Sequence, residues 1–295
     1  MNKDILKRLR RYEIRIRKAI NSQMQGDFHS IFKGSGLEFD DVRPYQWGDD
    51  VRNIDWRVTA KGHGTFMKTF IEEKEQTVFF LLDVSASQEI GKDKRQKIDL
   101  AKEMAGLLAL SAIREGSKVG LLCYSDQVED YIKPGKTVKH AYEIINRMFS
   151  LKPKSRKTNL DEGIKYTLNL LNKKAIVFII SDFIDENFTH SMRGLARKHD
   201  LVVVHISDKR ESAVPHLGIV PLFEKESGKT VWLNTSSKEF KNAVEKTHGK
   251  NKDSLSDFCR RNDVNYISIG TEDDYVPKLI KLFRHRNRSN ARRTR

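Results

Sequence analysis

The stretch Val78-Phe79-Phe80-Leu81-Leu82-Asp83-Val84-Ser85-Ala86-Ser87 decides how this chain folds. Its first five residues form an apolar run closed by polar ones, the pattern of a buried strand. The carboxyl end of such a strand is where open α/β sheets bind ligands. Asp83, Ser85 and Ser87 alternate, so an acid and two hydroxyls turn three oxygens toward one point beyond the sheet. Oxygen-only, weakly charged ligands suit a hard divalent cation, Mg²⁺ first and Mn²⁺ or Ca²⁺ as alternatives. Such a cation keeps coordination positions for water or for a partner. The same run also reads as a core acid at a strand end, with Ser85 or Ser87 capping the next helix.

Two later segments bear on that choice. Thr158 lies in the polar loop Lys154-Ser155-Arg156-Lys157-Thr158-Asn159, before the helical stretch from Leu160 to Leu171. Asp182 follows a second apolar run, Ala175 to Ser181. In a parallel sheet the carboxyl ends of neighbouring strands face one crevice, so Asp83, Ser85, Ser87, Thr158 and Asp182 can converge there. Asp-x-Ser-x-Ser, then Thr, then Asp, resembles the metal-ion-dependent adhesion site of von Willebrand factor type A domains. The resemblance implies a metal held by these five residues, with Asp182 more often acting through water.

The rest of the chain sets the frame. At 295 residues it can bury a full core, and 38% hydrophobic with 32% charged residues is an ordinary soluble composition. No apolar run is long enough to span a bilayer, and the first residues lack the apolar core of a signal peptide, so a cytoplasmic protein is expected. Cys123 and Cys259 have no metal-ligand neighbours and read as buried thiols. The formal net charge is +15, but residues 1–24 hold +6 of it and residues 284–295 another +6. The body is close to neutral. The basic termini could bind phosphates of nucleic acid or anionic lipid without specificity.

Ile5, Leu9, Tyr12, Ile16 and Ile20 recur at helical spacing and predict an amphipathic, basic-faced helix. It is expected to dock on the body; contact with a membrane surface is the alternative. Residues 28–65 show weak periodicity and many turn signals. Beyond them the pattern predicts strands at 66–70, 76–83, 118–124, 175–181, 201–207 and 264–269. Helices are predicted at 98–114, 138–149, 160–172, 188–199, 237–262 and 275–286, with a hairpin partner at 128–132 and a β excursion at 215–233. Gly116 is a natural stop for the first of these helices. Strands alternating with helices imply βαβ units: an α/β fold, a doubly wound mostly parallel sheet flanked by helices. The expected organisation is an N-terminal helical and irregular extension over 1–75 packed on the body, the sheet domain over 76–286, and a basic disordered tail over 287–295.

The segment from Gly34 to Trp56, containing Gly34-Ser35-Gly36, Asp40-Asp41-Val42-Arg43-Pro44-Tyr45 and Asp49-Asp50-Val51-Arg52-Asn53-Ile54-Asp55-Trp56, resembles the signature of the bacterial domain of unknown function 58 family. Phe70-Ile71-Glu72-Glu73, Asp83 to Ser87, Ser181-Asp182-Phe183 and His199-Asp200-Leu201 follow the same family in order. The resemblance implies a von Willebrand factor A-like domain and an adaptor role beside a MoxR-type AAA+ ATPase. Gln88 stands where many members have Met, and Lys61 where Arg is usual; neither is expected to touch a ligand position. From its residues alone, the signature reads as a loop pinned by Arg–carboxylate forks with Trp56 buried.

Three functions compete. One is a metal-dependent binding module, not an enzyme, whose cation takes a carboxylate from a protein partner. Another is a metal-dependent phosphohydrolase, since a strand-end Asp also opens the Asp-x-Asp motif; here Ser85 replaces the second acid, so a general acid is missing. The third is nucleic-acid or anionic-lipid binding through the termini, where Tyr12 belongs to the apolar helix face and no other aromatic accompanies the arginines. The binding module accounts for most of the residues.

Overall fold

The computed structural model describes residues 37–62, 64–72, 76–92, 95–185, 187–212, 218–223, 230–237 and 252–282. The expected N-terminal helix and basic tail lie outside them. Contacts divide the chain into two compact units, one of Lys33–Gln76 and one that includes everything from Thr77 onward.

In the smaller unit, β1 (Leu37–Pro44) leads to the short helix α1 (Trp56–Thr59) and then to β2 (Phe66–Glu72), which pairs antiparallel with β1. The sequence pattern missed β1. Its register shifts between Phe39 and Asp41, and a bulge there interrupts the two-residue alternation that marks a strand. The predicted forks are present: Arg43 donates to both carboxylate oxygens of Asp49, each at 2.7 Å, and Arg52 pairs with Asp50. Trp56 is not buried as expected; it is 69% exposed. Asp55 caps α1 by accepting from the N–H groups of Arg57 and Val58, which puts Trp56 at the first helical position. Among the described side chains of this unit, the buried apolar one is Met67, whose backbone bridges to Ile54.

The larger unit opens with β3 (Thr77–Asp83), a small ribbon of β4 (Gly91–Lys92) and β5 (Arg95–Gln96), and the long helix α2 (Lys97–Arg114). Next come β6 (Lys118–Tyr124), β7 (Val128–Gly135), α3 (Val138–Ser150), α4 (Leu160–Leu170) and β8 (Ile176–Ser181). After them follow α5 (Thr189–Lys198), β9 (Asp200–Ser207), the one-turn α6 (Lys209–Ser212), and a separate ribbon of β10 (Ile219–Phe223) with β11 (Thr230–Asn234). A helix α7 over 252–261, β12 (Asn265–Gly270) and a helix α8 over 275–282 complete it.

Six strands form one sheet in the order β12-β9-β8-β3-β6-β7, parallel throughout except for the edge pair β6–β7. The chain starts in the middle, winds out to β7, and returns past β3 to build β8, β9 and β12. This is the doubly wound arrangement predicted, with its switch point between β3 and β8. Burial on both faces follows the side-chain period of two. Val78, Phe80 and Leu82 pack with α2, α3 and α8 on one face; Phe79 and Leu81 pack with α4, α5 and α7 on the other. Gly116 ends α2 as predicted: at φ +84° it sits in a Schellman turn, donating to Ile113 O while Ser117 N–H donates to Ala112 O. Gly163 allows α4 to lie against β6, since a Cβ there would meet Tyr124 Cδ1 at 2.8 Å. Among the described residues, no helix is long and apolar enough to cross a membrane.

Candidate functional site

The switch point between β3 and β8 is where the sequence-predicted residues gather. Asp83 is the last residue of β3, and Ser181 and Asp182 stand at the end of its parallel neighbour β8. Ser85 and Ser87 follow in the turn after β3. The Thr158 loop is tied to the same turn: Ala86 N–H donates to Arg156 O at 3.1 Å, and Asn159 N–H to Ser125 O at the end of β6. All five predicted residues thus stand on the strand ends and loops of this one edge.

Asp83 is buried and held on all sides. Its Oδ1 accepts from Ser85 N–H at 2.9 Å; its Oδ2 accepts from the Ser181 hydroxyl at 2.7 Å and from Gln88 Nε2 at 3.1 Å. Gln88 therefore does touch the presumed ligand, against the expectation from sequence. The one-turn helix after Ser85 turns the Gln88 side chain back onto the acid. Its other amide atom, Oε1, is buried without a partner among the described residues, so the contact to Asp83 is what orients this amide.

Ser85 occupies the cap position of that turn, yet its hydroxyl makes no capping bond. It faces Ser87 instead, Oγ to Oγ 3.0 Å, in a shared hydrogen bond. Adjacent ligands of an octahedral Mg²⁺, with bonds of about 2.1 Å, stand about 3.0 Å apart. Their own hydrogen bond accounts for this spacing, which is also compatible with two ligands of a small hard cation.

Asp182 is committed differently. Its Oδ2 accepts from Lys97 Nζ at 2.6 Å and its Oδ1 from Ile184 N–H at 3.2 Å. The intervening Phe183 has φ +55°, a backbone region non-glycine residues seldom adopt, and its N–H is fixed by Ser181 Oγ. Lys97, the first residue of α2, is 0% exposed, and its ammonium also pairs with Glu211 of α6. Burial alone would lower the Lys97 pKa, but Asp182 and Glu211 outweigh it and move it up, so the ammonium stays charged. Asp208, also buried, accepts from the Thr271 hydroxyl beyond β12 and from Arg210 N–H.

The Lys97 ammonium faces two carboxylates, Asp182 and Glu211, while Asp83 feels the charge of Asp182, so negative charge is in excess across the three acids. Burial, reinforced by the Asp182 charge, pushes the Asp83 carboxyl up to about 6. A proton on Asp83 relieves that excess, and a bound cation would do so too. The oxygen donors, the spacing of the two hydroxyls and the charge balance all fit a divalent cation. Lys97, Glu211, Gln88 and Ser181 escaped the sequence reading. A fully buried Lys has no local signature, and its partner lies 114 residues away.

Solved structures similar to this chain include the conserved hypothetical protein BatB from Bacteroides thetaiotaomicron, 13% identical with a TM-score of 0.47 over 71% of this chain and 98% of that one. They also include the SpRpn10 VWA domain, 12% identical with a TM-score of 0.38 over 70% and 93%. The strand order of the sheet carries the fold assignment independently of them. Among curated proteins, the uncharacterized proteins Rv1480 of Mycobacterium tuberculosis and Mb1516 of Mycobacterium bovis are each 23% identical over 95% of this chain and 89% of their own length. Residues 41–254 match the family described as "Protein of unknown function DUF58", and the chain belongs to it.

Proposed function

We propose that this protein is a divalent-cation-dependent protein-binding module without catalytic activity of its own. Asp83, Ser85 and Ser87 would hold Mg²⁺ directly, Thr158 would reach it from its loop, and Asp182 would act through water because Lys97 already occupies it. Mn²⁺ or Ca²⁺ would fit the same oxygens less selectively. The cation supplies an electrophilic position for a carboxylate from another protein. This chain's residues keep Asp83 oriented and balance the charge behind it. The observation that supports the reading most is the Ser85–Ser87 oxygen pair, unused by any cap, beside an acid fixed at the switch point.

The phosphohydrolase alternative has less behind it. Ser85 stands where a second acid would act, and the ammonium of Lys97 is spent on two carboxylates rather than presented to a phosphoryl group. For the partner, the family resemblance supplies a class: a MoxR-type AAA+ ATPase, with this chain linking it to a client. Capture of such an ATPase from native extract in Mg²⁺, weakened by EDTA and by Asp83→Ala or Thr158→Ala, is the expected result. Capture indifferent to all three changes contradicts the metal's part in the contact; no capture under any condition contradicts the partner.

A further inference from the structure

The loop that brings Thr158 to the edge carries Lys152, Lys154, Arg156 and Lys157, with no acid between residues 151 and 160. All four basic side chains are exposed, and among the described residues none has an ion-pair or hydrogen-bond partner. Some other surface cations of this unit are matched, such as Arg147 with Asp130 and Lys165 with Asp161, and others are not matched among the described residues, such as Lys133 and Lys139; what sets this loop apart is four exposed cations within six residues. The loop's backbone, by contrast, is pinned. Glu129 accepts from Lys154 N–H at 2.7 Å and from Ser155 N–H at 2.9 Å, and is itself steadied by the Ser125 hydroxyl. Burial would raise the Glu129 pKa, yet these donors outweigh it and hold the carboxyl below its usual value. A fixed backbone with four cations unpaired among the described residues, hydrogen-bonded through Arg156 O to the Ser85–Ser87 turn, is a preorganised positive rim.

The adjoining loop adds an apolar element. Asp185 accepts from Leu160 N–H at 2.6 Å, which joins the segment after β8 to the start of α4. In that segment Ile184 is 44% exposed, one residue past the buried Phe183. An aliphatic side chain suits an aliphatic residue of a peptide; it gives a nucleobase nothing to stack on.

We infer that the partner segment docking at this edge is acidic, with several carboxylates seated on Lys152, Lys154, Arg156 and Lys157 and an aliphatic side chain against Ile184. The inference rests on the protein-binding reading of the site but not on its cation. Charges at a rim of this kind act mainly on the rate of encounter, and a ligand held at the centre acts on residence time.

The test is stopped-flow anisotropy on the full chain in Mg²⁺. The probe is a fluorescein-labelled peptide of Asp, Glu and Leu, with a charge-matched oligothymidylate as competitor. Lys154→Glu/Arg156→Glu/Lys157→Glu should slow association at least about tenfold at an unchanged melting temperature, and the triple Ala variant should slow it less. Asp83→Ala should leave association fast; faster dissociation in this variant marks the cation reading as sound, and unchanged dissociation marks that reading alone as wrong. No association with the wild type, equal association by wild type and triple Glu variant (binding then carried by the basic termini), or displacement of the peptide by a lower concentration of oligothymidylate overturns the acidic-peptide assignment.

Discussion

The switch point and the signature segment treat their polar and apolar residues in opposite ways. At the end of β3 and β8, charged groups are buried: Asp83, Asp182 and Lys97 lie inside, each with its partners named by the fold. In the unit of Lys33–Gln76 the charges pair at the surface, while Trp47 is 99% exposed and Trp56 69%. A buried charge must be matched where it sits, so the first region specifies a chemistry. A small unit has too little volume to bury its aromatics, so the second derives its shape from a hairpin and two Arg–Asp pairs. Energy should follow the same division, with large losses at the switch point and small ones in the signature.

The largest loss is expected at Lys97. Lys97→Met strands two buried carboxylates and should cost about 3–5 kcal/mol in urea unfolding; Lys97→Met/Glu211→Gln, which removes one of the stranded charges, should recover part of it. Similar stability for wild type and the single variant would mean that the ammonium is not balancing this cluster. Gly163→Ala should come next, at about 1–3 kcal/mol, because its new methyl group would press on the Tyr124 ring. A cost near zero would mean that α4 can lift off β6 freely. At the other extreme, Trp47→Ala should change stability by no more than about 0.5 kcal/mol. A larger loss would erase the contrast between the two regions.

Between those extremes lies a pH effect. His199 is buried, its Nδ1 accepts from Ala175 N–H, and burial followed by the Lys198 charge lowers its pKa to about 4 from an unfolded value of 6.5. The unfolded chain therefore binds a proton that the folded chain refuses. Stability should be full above pH 6.5 and fall as the pH drops from 6.5 toward 4. In His199→Asn, which cannot titrate, the decline of the melting temperature between pH 7 and pH 5 should be smaller; an identical decline would place the titration elsewhere.

Much of this was legible in the sequence, and the gaps have physical causes. The core strands were readable because both of their faces are buried, which leaves uninterrupted runs such as Val78–Leu82. That Asp83, Ser85, Ser87 and Asp182 stand at strand ends was readable because strand-end position is local, and that Thr158 stands in a neighbouring loop because that loop precedes a clear helix. The strand β1 was hidden by its bulge. Trp56 was misjudged because hydrophobicity predicts burial only where a core exists to receive the side chain. The Lys97–Glu211 pair and the Gln88–Asp83 contact were invisible for a different reason. One joins α2 to the turn after β9, and the other depends on a single turn of tight helix; neither leaves a periodic trace.

The central claim is that the oxygens gathered at the switch point hold a divalent cation. Titration calorimetry with Mn²⁺ and Mg²⁺ on the folded chain tests it most directly, comparing wild type with Asp83→Ala at matched stability. Saturable one-site heats in the wild type that vanish in Asp83→Ala are the predicted result. Equal heats from the two proteins, or none from the wild type, would contradict it.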